Sequence, residues 1–123
     1  MRKIAVIIFL AAALVFPQFG RNKVQYKNYE WYYLTTPDFV IYYPKGYEHL
    51  VEFARRELEK GLDQLSKDFS YTPQDRISIV IYPTRFDFQE TNITPAILPE
   101  GVGGFTEMLK NRVVVPFDGN WEN

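Results

Sequence analysis

Three kinds of residue in this 123-residue chain have the chemistry to form a site: a single histidine, a few carboxylates beside loops, and a glycine-rich stretch. A metal centre needs several ligands. His49 has no second histidine and no cysteine to join it, so it reads as a surface residue at the head of a helix. Glu90, Glu100 and Glu107 fall near loops or strand ends. A glycosidase needs two such groups facing each other across a sugar. Their spacing establishes no such pair, and they read as solvated side chains. Gly101-Val102-Gly103-Gly104 lacks the spacing of a phosphate loop and has no Lys-Ser/Thr behind it. It also precedes a strand, where a phosphate loop opens a helix, so its glycines suit a close backbone approach or a bulge. Asn92-Ile93-Thr94 matches a glycosylation sequon but is followed by Pro95 and is set aside. The rings of Tyr26, Tyr29, Trp31, Tyr32 and Tyr33 offer a platform for sugars or peptides. Packing against a sheet and a helix is the stronger reading of that cluster.

The elements that must position these residues are legible in part. Residues 29–35 are rich in aromatics and predict a strand, Thr36-Pro37-Asp38 a turn, and 39–43 a second strand. From Glu48 to Phe69 the apolar residues Leu50, Phe53, Ala54, Leu58, Leu62, Leu65 and Phe69 recur at spacings of three and four, which predicts one long amphipathic helix. Its polar face carries pairs such as Glu52/Arg56 at i,i+4. Gly61 interrupts it, and a close approach to the sheet beneath would account for the glycine. Residues 77–82, Ile-Ser-Ile-Val-Ile-Tyr, predict a strand buried on both faces. Thr84 is placed to cap a short helix through residue 90, and 92–99 reads as a loop. Two extended arms, 101–109 and 112–117, flank Lys110-Asn111 and predict a hairpin, because asparagine tolerates the left-handed backbone of a tight turn. Asp118-Gly119-Asn120 reads as a turn before a helix start at 121–123.

The first residues point to export. Arg2 and Lys3 precede an unbroken apolar run from Ile4 to Phe16. Thirteen residues fall short of the ~20 that span a bilayer, but they match a secretory leader. A signal peptide over 1–18 and a domain over 19–123 follow, with an exported, periplasmic or envelope-associated location and no stable membrane span once the leader is cut. Loss of Arg2 and Lys3 takes the 14 basic residues to 12 against 15 acidic ones, a formal charge of −3. Nothing in that balance suits a nucleic-acid partner. The absence of cysteine excludes a disulfide frame and a thiolate metal site. An aromatic content of 17% belongs in a core or at an interface. The fold class expected is α/β (α+β): a small mixed sheet, one long amphipathic helix and a C-terminal hairpin.

Several blocks together resemble a known family. They are Phe-Gly-Arg-Asn-Lys-Val-Gln-Tyr at 19–26, Trp31, Phe-Val-Ile-Tyr-Tyr at 39–43, Asp75-Arg76-Ile77 and Phe-Gln-Glu-Thr-Asn at 88–92. The most specific are Pro-Glu-Gly-Val-Gly-Gly-Phe-Thr-Glu at 99–107 and Asn-Arg-Val-Val-Val-Pro-Phe at 111–117. This order resembles the N-terminal part of exported peptidase MA-like proteins, gluzincin-type zinc metallopeptidases that often carry a Tol-type β-propeller. The resemblance implies a partial zincin-like N-terminal subdomain and a parent that acts on peptide or protein substrates with zinc. In that family the next element is a helix bearing His-Glu-x-x-His, whose histidines bind zinc and whose glutamate activates water. This sequence has no such motif, so no catalytic residue or zinc ligand carries over, and no cofactor is expected in this fragment. What carries over is an edge strand for substrate pairing at Gly103, Gly104, Phe105, Thr106 and Glu107. The alternative is a non-catalytic binding or scaffold module of a propeller-containing envelope protein.

Overall fold

A computed structural model describes residues 23–117. The leader at 1–18 and the turn and helix start at 118–123 lie outside the described residues. The described residues fold as a small α/β unit with a five-stranded mixed sheet and two α-helices. Strand β1 (Trp31–Thr35) pairs antiparallel with β2 (Phe39–Pro44). Helix α1 (Glu48–Phe69) then leads to β3 (Ile77–Tyr82), which lies parallel to β2. Helix α2 (Arg85–Gln89) follows, then β4 (Phe105–Glu107), a 3-10 turn (Met108–Lys110) and β5 (Arg112–Pro116). The sheet order is β1-β2-β3-β5-β4, so β5 inserts parallel beside β3 and β4 forms the far edge, antiparallel to β5.

Alternation along the strands divides the sheet into two faces. On one, Phe39, Ile41, Ile79 and Ile81 pack with Val51 and are joined by Ala54, Leu58 and Leu62 of α1. On the other, Val80, Tyr82 and Val114 enclose Phe88 of α2, and Ile93, Leu98, Val102 and Phe105 close over them. Ile41, Leu50, Phe88 and Val114 are at most 2% exposed. Each such side chain contributes roughly 1.5–3 kcal/mol of burial. The 92–99 loop is therefore a cover for the second face. Among the described residues no helix is long and apolar enough to cross a membrane.

Helix α1 departs from its sequence reading in three respects. Its predicted apolar stripe is not covered along its whole length: Leu65 and Phe69 are 54% and 75% exposed, while Val51, outside the predicted stripe, is buried. Arg55, not Arg56, forms the ion pairs, reaching Glu52 at 2.6 Å and Glu59 at 2.9 Å. Gly61 meets no close neighbour; a methyl group there would have nothing within 4 Å. The helix has no side-chain N-cap at Tyr47; instead the Glu48 carboxylate accepts from the Gly46 amide at 3.1 Å. Gly46, at φ 90°, supplies the left-handed turn that starts the helix. At the other end Ser70 adopts φ 49°, and the amides of Ser70 and Tyr71 bond back to Lys67 and Ser66.

Because Gly61 sits in a regular helix with open space at its Cβ position, Gly61→Ala should stabilise the fold by about 1 kcal/mol. A thermal melt of the two proteins reads this directly, and an unchanged or lowered midpoint would mean that the glycine makes a contact the fold needs.

Candidate functional site

The predicted substrate-pairing segment splits in two. Phe105, Thr106 and Glu107 form β4, while Gly103 and Gly104 precede it. The hairpin is as expected, closed by Asn111 in the left-handed conformation at φ 47°, but the first arm is three residues long. Gly103 lies in open space. Gly104, at φ 157°, has a different reason: a Cβ there would stand 3.0 Å from the Val114 carbonyl oxygen and 3.1 Å from Val115 Cγ1. The glycine is fixed by the chain's own strand β5, not by room for a visitor.

The register determines which backbone groups of β4 are free. The Ser78 amide donates to the Asn111 carbonyl at 3.0 Å and the Phe117 amide to the Tyr82 carbonyl at 2.7 Å. Residues 111 and 117 thus face β3, and alternation turns Arg112 and Val114 towards β4. Their partners there are Glu107 and Phe105. Thr106, between them, points its N–H and C=O outward from the sheet. Its side chain is exposed, and Met108 and Leu109 beside it are almost fully exposed. The end of β4 therefore combines free backbone polarity with apolar surface.

Glu107 is not a solvated carboxylate. Arg112 Nε donates to its Oε2 at 2.5 Å, Arg112 Nη2 binds the same oxygen, and Lys110 Nζ lies 3.5 Å from Oε1. Burial acts to raise the Glu107 carboxyl, but the hydrogen bond and charge of Arg112, with the charge of Lys110, outweigh it and hold the group below the ordinary carboxylate range.

The other candidates are dispersed. His49 is exposed at the start of α1, its ring 6.1 Å from that of Tyr47. Glu90 is half-buried and accepts from the Tyr26 amide at 3.1 Å, while Glu100 is exposed and only its backbone carbonyl is engaged, by Arg85. None of the three glutamates shares a partner with another. Asn92 is taken up by Lys23, accepting from its amide and donating to its carbonyl. Among the described residues no three of His, Cys, Asp and Glu stand together to hold a metal.

Sequence reasoning missed Asp87. It is 4% exposed, and its Oδ2 accepts from the Tyr29 hydroxyl at 2.8 Å and from the Thr84 hydroxyl at 2.6 Å, with Lys27 Nζ at 3.8 Å. Thr84 also caps α2 as expected, accepting from the Asp87 amide at 3.1 Å. Burial, then the hydrogen bond to Asp87 and its charge, push the Tyr29 phenol above its ordinary range. The aromatic cluster packs in part: Tyr29 stands edge-on to Trp31 at 6.1 Å, Trp31 to Tyr82, and Tyr32 and Tyr33 lie against Tyr43 and Tyr42 of β2. Tyr26 lies against Phe86 at 6.2 Å, and Tyr26 and Tyr33 are mostly exposed.

The Glu107 ion pair carries a pH signature. A carboxyl held below its unfolded value adds stability that is present above about pH 4.5 and is lost as pH falls through the lower folded value. Between pH 5 and pH 3 the wild-type chain should therefore lose stability more steeply than Glu107→Gln in denaturant melts. Parallel losses in the two proteins would show that the pair contributes nothing.

No protein-family model matches the chain, and no curated protein and no solved structure matches it, so its function rests on the geometry of these edges and clusters.

Proposed function

We propose that this chain is the substrate-presenting N-terminal part of an exported zinc-metallopeptidase-like protein, without the zinc and catalytic residues of that activity. The observation that carries the reading is the free outer edge of β4. An extended peptide laid antiparallel or parallel to it meets the N–H and C=O of Thr106, and main-chain hydrogen bonds of this kind give affinity without demanding a particular side chain. The apolar groove beside α1 supports the same reading. It holds about 380 Å³ and is lined by Phe39, Leu58, Leu62, Leu65, Ile77 and Val113, with Gly61 in its wall. A helix of the parent would fill it, and a zinc-bearing helix is what the family resemblance places next in sequence.

In this role the chain performs no bond cleavage. Its contribution is positional: holding a peptide straight along the sheet edge fixes where a reacting carbonyl lies, and orientation of that kind supplies a large part of an enzyme's rate. The second reading, a non-catalytic envelope-binding module, uses the same edge. Reading the coding DNA beyond codon 123 separates the two: His-Glu-x-x-His supports the enzyme, and a stop or replaced histidines supports the binding module.

The edge itself is tested by substitution. Proline at position 106 removes only an outward N–H and leaves the β4–β5 ladder bonds intact, which edge positions tolerate. Peptides selected from a random displayed library against the wild-type chain should slow exchange of the Thr106 amide and bind Thr106→Pro at least tenfold more weakly. Peptides that bind both proteins equally would remove the edge-strand role.

A further inference from the structure

The face of the sheet opposite α1 is covered only in part. Helix α2 and the 92–102 segment close over Val80, Tyr82 and Val114. Towards the start of β3 and β5 the cover stops, and a cleft of about 320 Å³ opens over Tyr42, Ser78 and Val80, bounded by Trp31, Ile93 and Arg112. That volume lies at the small end of ligand pockets, which run roughly 300–1,000 Å³. Parallel strands ordinarily have both faces covered, so an open cleft over β2, β3 and β5 is an exception to be accounted for.

Its two ends differ in chemistry. One is aromatic: Trp31 stands edge-on to Tyr82 with ring centroids 5.3 Å apart and is 37% exposed, and Tyr42 lies beside it in the sheet. Edge-to-face contact fixes the Trp31 ring, and a third flat ring can stack on what remains open. The other end is cationic. Lys110 and Arg112 share a single carboxylate, Glu107, so the end keeps one positive charge in excess. Arg112 gives Nε and Nη2 to Glu107, and its Nη1 makes no hydrogen bond among the described residues. The Ser78 hydroxyl faces the same space and likewise makes none there.

We infer that this cleft binds a small carboxylate carried on a planar aromatic body, with the ring against Trp31 and Tyr42 and the carboxylate at Arg112 Nη1, Lys110 and Ser78. A charge-assisted bond to the guanidinium sets the orientation. The site lies on a sheet face, separate from the β4 edge, and does not depend on the peptide-pairing role. Two sources present this chemistry: a free arylalkyl carboxylate and the C-terminal aromatic residue of a peptide.

Trp31 reports occupancy. The chain has two tryptophans, so Trp121→Phe leaves Trp31 as the sole tryptophan, excited selectively at the red edge of the absorption band. Titration of this protein with 3-phenylpropionate should give a saturable change in emission, and 3-phenylpropanamide should bind at least tenfold more weakly. Glu107→Gln should tighten binding of the acid about threefold or more, because it releases the guanidinium; a purely structural role for the pair would not raise affinity. Arg112→Gln should abolish binding, and Lys110→Ala, at an exposed site whose loss does not threaten the fold, should weaken it a few-fold. N-acetyl-Gly-Gly-Phe with a free carboxylate, compared with its amide, distinguishes the sources: tighter binding than phenylpropionate assigns the site to peptide C-termini, and weaker binding assigns it to a free acid. Equal affinity for acid and amide, or no saturable response to either, would overturn the inference.

Discussion

Ile79, Val80, Ile81 and Tyr82 are buried in succession along β3, and a strand with that property requires a neighbour on each side and a layer on each face. Parallel pairing to β2 and β5 provides the neighbours. Parallel connections need crossovers long enough to return the chain to the same end of the sheet. Those crossovers, α1 and the α2–β4 segment, are the layers. The rest of the molecule follows from the imperfect match between crossover and sheet. Helix α1 packs over β2 and leaves a groove alongside β3 and β5. The second crossover covers the ends of β3 and β5 and leaves a cleft at their beginnings. Both openings sit over the central parallel strands, where apolar side chains are densest.

The antiparallel strand β4 closes the sheet at one edge, and its short length is a consequence of packing. Gly104 approaches Val114 and Val115 too closely for any side chain, which leaves three residues for the ladder before the 3-10 turn. Within those three the pair Glu107 and Arg112 lies directly across the strands. A cross-strand ion pair on an exposed sheet contributes little, commonly under about 1 kcal/mol. Here the two side chains are about one-fifth and one-quarter exposed, and the carboxylate takes both donors of one side of the guanidinium. The same arginine then joins the two surfaces: one side of its fork holds the edge strand in register and the other faces the cleft.

Much of the scaffold was legible because it follows short-range rules. Spacings of three and four defined α1, the apolar run defined β3, Thr84 was recognisable as a cap, and Asn111 as the turn residue. What periodicity could not provide was extent and partner. It identifies a helical face but not how far that face is covered, so Leu65 and Phe69 were counted with the core although they are exposed. It placed an acid-base pair at Glu52 and Arg56, whereas Arg55 lies between Glu52 and Glu59 and reaches both. The edge-strand expectation for 103–107 came from a family resemblance, not from its own pattern; only 105–107 form the strand, and the reason for Gly104 appears only once β5 is beside it. Asp87 was illegible for a similar reason. An acid in a one-turn helix looks solvated until Tyr29, 58 residues earlier, is folded over it.

That buried aspartate resolves a further difficulty. Strand β1 is an edge strand with four of its five residues exposed, and exposed residues do little to specify a register. The segment before it supplies what β1 lacks. Lys23 binds Asn92, Tyr26 binds Glu90, and Tyr29 binds Asp87, so residues 23–29 lie as a strap along α2 and the turn behind it. Burying a carboxylate is costly unless it is hydrogen-bonded and paired; two hydroxyls and the Lys27 ammonium offset part of that cost at Asp87 Oδ2, while Oδ1 has no hydrogen-bond partner among the described residues. The strap ends two residues before Trp31, which is thereby delivered against Tyr82. The position of the cleft's aromatic wall thus depends on a charge network beside α2 on the same face of the sheet, and Asp87 anchors that wall through Tyr29.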